Sequence, residues 1–503
     1  MNMAVASNKR ISTHHDKQVH ISSKEDAPVV DTILVEFDHG KFQNPHHWPA
    51  SQKWSILVLN TINLFLMNVS VTVVAPALDV ISRDLGMDSS FEGPLVMSTY
   101  ILALSLGPLL LGPLSELYGR VPLMLMGNSV YIVFNLVCGF VHTKAQLMTC
   151  RVLSGLGGGA APVVALAMIS DCFNNEERGK PVAAVNAAFV LATPVGAIVG
   201  AFSTQSISWR VSFYITTGVI GLTTLVSVFV YRESYPPVLL HRKKKHLHKQ
   251  NPSEHYKTPY DDLHPTVADL YYKTIIRPLY MLATQPALQA IALYVAYTYG
   301  LTYFIFSTFP TLWEQHYGEP KNIASLHYVA AGIGYFIGIQ ICMGCADRFY
   351  RVLKRRNNDV EKAEFRLPLT AIPAVLLPAG LFCYGWTAEY KVHWAGPSVS
   401  IAVVMCGCTI VFQNTAAYMM EAYTLYNASV SAATYLCRGI CAFVLPLFGP
   451  TMYDRLGYGW VGTILGFLAL FFAWVVPLLL WFFGERLRKK SSFATGGRTP
   501  SSH

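Results

Sequence analysis

What this sequence has least of is charge. Of its 503 residues, 13% are Asp, Glu, Lys or Arg, where a soluble protein carries about 25%. At this length a soluble chain would form roughly three domains, and three solvated surfaces need far more polar cover. Intrinsic disorder is excluded as well, because 52% of the residues are hydrophobic and such a chain does not stay unfolded in water. The ten Cys all fall in or at the ends of apolar stretches, from Cys138 to Cys441, so a disulfide scaffold of external loops is excluded too. No G-x-x-x-x-G-K-[ST] string occurs, and a chain without that phosphate cradle does not pump with ATP by that route. Gly155-Leu-Gly157-Gly158-Gly159-Ala160 has dinucleotide-fingerprint spacing but lies inside an apolar run. It therefore reads as close helix packing. Clustered His and paired intramembrane carboxylates are missing, so we expect no enzyme, no cofactor and no metal site.

What is present is apolar length. A spanning helix needs about 20 mostly apolar residues, and twelve stretches qualify: 54–78, 93–114, 121–141, 145–170, 181–202, 211–231, 288–312, 322–346, 367–388, 394–420, 430–452 and 459–484. They are called spans 1 to 12. Ten hold no Lys, Arg, Asp or Glu; span 4 contains Arg151 and span 11 contains Arg438. The expected fold is an all-α membrane protein of twelve transmembrane helices in two six-helix halves. Its organisation reads as a tail at 1–53, a first half at 54–231, a basic central segment at 232–287, a second half at 288–484 and a tail at 485–503.

The positive-inside rule orients it. With the N-terminus cytoplasmic, 30 of the 38 Lys and Arg fall on the inner side, six fall outside and two are intramembrane. Both termini are therefore expected in the cytoplasm. The basic runs read as anchors on anionic membrane lipid and not as a nucleic-acid surface. The end of the central segment, about 267–282, alternates Leu270, Ile275, Ile276 and Leu279 with Asp269, Lys273 and Arg277. That pattern predicts a helix lying on the inner leaflet.

Six spans on each side of a basic segment point to a duplicated carrier, with its substrate site near the midplane between the halves. After span 2 stands Gly112-Pro-Leu-Ser-Glu116-Leu-Tyr-Gly119-Arg120; after span 8 stands Gly344-Cys-Ala-Asp347-Arg348-Phe-Tyr-Arg351. In each an acid precedes an Arg by four positions. An acid can cap a helix N-terminus while the Arg pairs across an interface, and contacts made in one state and broken in another form a latch. The plainer alternative is charge that fixes topology alone.

Gly112–Arg120 resembles the loop signature of the major facilitator superfamily, with Glu116 where Asp is usual. Leu147-Met-Thr-Cys-Arg151-Val-Leu-Ser-Gly155-Leu-Gly157 resembles its span-4 signature. The resemblance narrows to the fungal twelve-span drug:proton antiporters on Asn44-Pro-His-His-Trp48-Pro49, Trp209-Arg210-Val-Ser-Phe213-Tyr214, Glu233-Ser-Tyr235-Pro236, Glu364-Phe-Arg-Leu-Pro368 and Pro446-Leu-Phe-Gly-Pro450. It implies a major facilitator fold and export of drugs, toxins or metabolites against protons. Thr193-Pro194-Val-Gly196-Ala-Ile-Val-Gly200 in span 5 is similar to the family's antiporter motif, with Ala197 and Ala201 where Pro and Gly are usual. Those departures weaken the case for strict antiport. From the residues alone, Gly196 and Gly200 permit close helix approach.

An intramembrane charge must face a cavity or a partner. Arg151 reads either as a strut bonded to carbonyls of a neighbouring helix or, following the resemblance, as the proton-coupling residue. Arg438 is expected near the cytoplasmic end of span 11, where its stem can snorkel, and is also a cavity candidate. No span centre carries the carboxylate that proton coupling ordinarily uses. The other cavity candidates are the polar and aromatic side chains Asn60, Asn63, Tyr297, Tyr303, Tyr335, Gln413 and Asn414. Aromatic faces with scattered amides suit a large amphipathic molecule, neutral or weakly cationic.

The sequence therefore reads as a monomeric secondary transporter of the plasma membrane, with vacuolar or vesicular membranes as alternatives. Its partners are a hydrophobic small-molecule substrate, protons and lipid. An importer and a non-transporting sensor remain rivals.

Overall fold

A backbone crossing lipid must satisfy its own hydrogen bonds, so apolar runs of this length become helices. In the computed structural model they do. Residues 32–37, 44–87, 89, 91–174, 177, 179–252, 254–261, 269, 271–359, 362–491 and 493–494 are described. The first ten spans run Ala50–Asp84, Glu92–Tyr118, Arg120–Cys138, Lys144–Cys172, Gly179–Ser206, Trp209–Val230, Pro286–His316, Lys321–Arg356, Ala363–Glu389 and Ala395–Ala422. The last two are one helical run, Thr424–Lys489, interrupted at Gly457 by φ +76° and ψ 169°. The chain turns back there. Phe304 of span 7 packs on Tyr453 before the turn, while Tyr297, two turns away, donates to the Leu465 carbonyl after it at 2.6 Å. Twelve spans result, in two halves. Below, the tail face is the face where span 1 begins and span 12 ends; the other is the far face.

Buried amides stitch the first half. Asn128 of span 3 donates to the Asn63 side-chain oxygen at 2.8 Å and to Thr224 of span 6 at 2.9 Å. Asn135 donates to Phe213 O, Thr216 and Thr217 at 2.8–3.1 Å. Such bonds are each worth about 0.6 kcal/mol in a membrane, and their number sets the register of spans 1, 3 and 6. The span-5 glycines act as the sequence predicts for close approach. A methyl group on Gly196 would meet Thr72 and Val69, and one on Gly200 would collide with the Val73 carbonyl. Across the halves, Gly439 of span 11 lies against Ser105 of span 2, and a Cβ on Gly332 of span 8 would stand 3.2 Å from Pro194.

The central segment carries regular structure of its own. Pro236–Gln250 is a helix with Pro in its first turn, where a missing N–H costs nothing. Leu239 and Leu240 are its buried side. A short strand, β1 (Thr32–Leu34), pairs in parallel with β2 (His255–Lys257), with Ile33 opposite Tyr256. Of the expected surface helix at 267–282, residues 267, 268 and 270 lie outside the described residues. The remainder forms a π turn, Tyr272–Ile276, and a helix, Arg277–Thr284. Tyr272, Ile276, Leu279 and Tyr280 are exposed, and Lys273 and Arg277 face an internal cavity.

Candidate transport site

Four hollows lie along the interface between the halves. On the far face a cavity of about 680 Å³ is lined by Asp79, Gln315, His316, Glu389, Asp454 and Tyr458, among others. On the tail face a cavity of about 420 Å³ is lined by Glu116, Arg120, Lys273, Arg277, Ser429 and Tyr435, among others. Between them are two adjoining central hollows of about 90 and 160 Å³. Both contain Asn68 of span 1, Asn186 and Phe189 of span 5, Tyr299 of span 7, and Tyr435 and Arg438 of span 11.

Four of the predicted cavity residues line the larger central hollow: Tyr303, Tyr335, Gln413 and Arg438. Four do not. Asn60 and Asn63 face spans 3, 4 and 6; Asn60 accepts from the Tyr231 hydroxyl at 2.8 Å, and Asn63 is bonded as described above. Tyr297 stacks on Phe472 and is bonded to span 12. Asn414 donates to its own helix, at Ile410 O. These four are packing groups: neighbouring helices bond Asn60, Asn63 and Tyr297, and Asn414 is bonded within its own helix. Sequence reasoning passed over Asn186 and Phe189 of span 5 and Tyr435, and named Thr193 only as part of the span-5 motif. Their signal was spacing: 186, 189 and 193 share one helical face, as do Tyr435 and Arg438.

Arg438 corrects the expected snorkelling. Its guanidinium lies 4.7 Å from the Tyr299 ring centroid and 3.4 Å from that of Tyr435. It lines the central hollow. Its Nε has no hydrogen-bond partner, and no carboxylate pairs with it among the described residues.

Arg151 is wholly buried. Its Nε donates to Val96 O and its Nη2 to Ser70 O, both at 3.1 Å, and the guanidinium sits 4.2 Å from the Tyr100 ring centroid. Nη1 has no partner. Ser70 also shares a short hydrogen bond with the Tyr131 hydroxyl. Arg151 thus ties span 4 to spans 1 and 2 through carbonyls, the strut arrangement anticipated as one of its two readings.

The tail-face loop between spans 2 and 3 turns at Gly119, with φ +102°, a left-handed value that glycine alone adopts at little cost. Glu233, from beyond span 6, accepts from the N–H groups of Arg120 at 2.9 Å and Val121 at 3.3 Å. This acid caps span 3. Glu116, the acid expected to do so, is exposed and has no hydrogen-bonding or ion-pair partner among the described residues. Arg120 pairs with Asp171 of span 4 at 3.1 Å, donates to Ser115 at 2.6 Å and covers the Tyr235 ring at 4.2 Å. A Cβ on Gly112 would stand 3.7 Å from Thr274 of the central segment. In the second half, Arg351 is exposed at the tail-face end of span 8, and the Asp347 side chain lies outside the described residues. One ordered ion pair on that face of the second half is Arg488 with Glu364, at 2.5–3.0 Å through three contacts.

Twelve apolar helices in two halves around a polar, aromatic midplane hollow define a multi-pass integral membrane protein of the carrier type. The family profile of the Major Facilitator Superfamily matches residues 61–446. The chain belongs to that superfamily, whose members are transporters and not enzymes. It is 37% identical to an uncharacterized transporter of Schizosaccharomyces pombe over 90% of this chain and 92% of that one. It is 37% identical to the efflux pump vrtL of Penicillium aethiopicum over 93% of this chain and 92% of that one. Among solved structures, the xylose transporter XylE from E. coli, in a partially occluded inward-open conformation, superposes with a TM-score of 0.64. It has 15% identity, over 90% of this chain and 100% of that one, a likeness of fold.

Proposed function

We propose that the protein exports a hydrophobic or amphipathic small molecule by alternating access, driven by inward proton flow. The observation that carries this is the central hollow, set between spans 1 and 5 of one half and spans 7 and 11 of the other. Rocking the halves would open it to one face at a time. The efflux-pump name of a relative at 37% identity supports the outward direction. We place the tail face in the cytoplasm on the distribution of Lys and Arg, and the protein in the plasma membrane as a monomer. The basic helix Pro236–Gln250 then lies beside anionic inner-leaflet lipid. Proton coupling is assigned to Arg151 and the hydroxyls of Ser70 and Tyr131 around it. Among the described residues, neither central hollow is lined by a carboxylate.

The test is flux into inside-out membrane vesicles carrying the full chain. An acid interior should drive accumulation of a transported aromatic compound, and collapse of the pH gradient should stop it. Accumulation indifferent to the gradient would remove the antiport claim. Flux only in the opposite direction would make the protein an importer.

A further inference from the structure

We propose that the cargo is an organic anion, an aromatic molecule carrying a carboxylate, and that Arg438 is the residue that binds its charge. This rests on the export reading and deepens it by naming the substrate class.

Three observations converge. The first is the state of the Arg438 guanidinium. Arg120 has Asp171, Arg488 has Glu364 and Arg151 has two carbonyls as acceptors. Arg438 has two tyrosine rings, a side-chain hydrogen bond with Tyr435, an Nε without an acceptor and, among the described residues, no carboxylate. A desolvated guanidinium lacking an anion is costly. The arrangement is relieved when a ligand supplies one in the planar geometry that a guanidinium matches.

The second observation is the lining around it. Asn68, Asn186 and Gln413 supply neutral polar contacts, and Phe189, Tyr303 and Phe412 supply aromatic walls. No acid is present there to repel a carboxylate or receive a cation. The faces of Tyr299 and Tyr435, which would otherwise suit a cationic cargo, are already occupied by Arg438 itself. The neutral or weakly cationic cargo expected from composition gives way to an anionic one.

The third is the asymmetry of the two outer cavities. The tail-face cavity presents Lys273 and Arg277, beside an Arg120 already paired with Asp171, against Glu116. The far-face cavity presents Asp79, Glu389 and Asp454, with no Lys or Arg among its lining residues. Charged walls concentrate the opposite charge. Anions are therefore gathered at the tail face, held at Arg438 and discouraged from re-entering at the far face.

The experiment uses the full-length protein in proteoliposomes and three probes of matched shape: naphthylacetate, naphthylacetamide and naphthylethylamine. Wild type should bind the acid roughly tenfold more tightly than the amide or the amine, the effect of one charge-assisted, forked contact. The preference should fade as the medium is acidified through the probe's own pKa. Arg438→Gln should bind acid and amide alike, and Arg438→Lys should retain part of the preference. An acid that binds no better than the amide to wild type, or a preference that survives in Arg438→Gln, overturns the proposal. Should Arg438→Gln fail to fold, the wild-type ranking and Arg438→Lys decide. Acid preference without gradient-driven flux would sink the export reading and leave Arg438 as an anion site. Gradient-driven flux of all three probes alike would do the reverse.

Discussion

The sharpest prediction concerns Glu233→Gln. The Glu233 carboxylate is 7% exposed and accepts from Arg120 N, Val121 N and Tyr235 N at 2.9, 3.3 and 3.1 Å. The first two bonds tie the start of span 3 to a segment beyond span 6. Neutralising the acceptor weakens each of these from a charge-assisted to an ordinary bond, about 1 kcal/mol apiece. It also removes a negative charge from a helix N-terminus, worth about 1 kcal/mol when partly buried. The sum, about 3 kcal/mol, is roughly a hundredfold in the equilibrium between the capped arrangement and any in which the cap is released. Hydrogen exchange followed by mass spectrometry reads this directly. The peptide containing Arg120 and Val121 should lose protection in Glu233→Gln, and the thermal midpoint in detergent should fall. Glu116→Ala, at an exposed side chain, should move stability by less than about 0.5 kcal/mol. Unchanged protection of those amides in Glu233→Gln, or a larger loss in Glu116→Ala, would refute the assignment of the cap to Glu233.

Three further outcomes follow from the same geometry. Gly119→Ala forces a side chain into left-handed backbone and into the Glu233 carboxylate, and should cost about 1–3 kcal/mol in thermal unfolding. Arg151→Lys keeps a buried charge that cannot reach both Val96 O and Ser70 O. It should therefore destabilise by about 3 kcal/mol, and more than Arg151→Gln, which removes that charge; the order of the two thermal midpoints checks it. Tyr297→Phe deletes a buried donor to Leu465 O and should lower stability by about 1–2 kcal/mol while leaving probe binding at the central hollow unchanged.

The spans and their number were legible because lipid tolerates so few designs. Most expected and observed ends agree within a few residues, as at 121–141 against Arg120–Cys138, while span 8 runs ten residues past its expected end to Arg356. The Gly196 and Gly200 contacts were legible too, since small-residue spacing acts locally along one helix face. The lining of the cavity was only half legible. Span 1 carries Asn60, Asn63 and Asn68, yet Asn68 alone of the three borders the central hollow. The first two lie on nearly one helical face and the third about a quarter-turn away, and composition does not say which face meets the other half. Glu116 was favoured as the cap because it is near in sequence. The actual cap comes from Glu233, whose separation of 113 residues from Arg120 leaves no local pattern. Arg438 stood out as an intramembrane charge, but its exposure to the central hollow depends on Tyr299 of another helix.

Two of the left-handed glycine turns, at Gly119 and Gly457, bear on how the chain is assembled. Gly119 is clamped by Glu233, which accepts from Arg120 at a separation of 113 residues; Gly457 is clamped by Glu389, which accepts from Gly459 at a separation of 70. The direction differs along with the distance. Synthesis runs from the N-terminus, so Glu389 is already in place when Gly457 emerges, and the last turn can set as it forms. Gly119 must wait through the insertion of spans 3, 4, 5 and 6 before its carboxylate exists. The first half is therefore provisional until its final residues leave the ribosome, and a chain truncated before Glu233 carries the whole Gly119 turn without the carboxylate that clamps it.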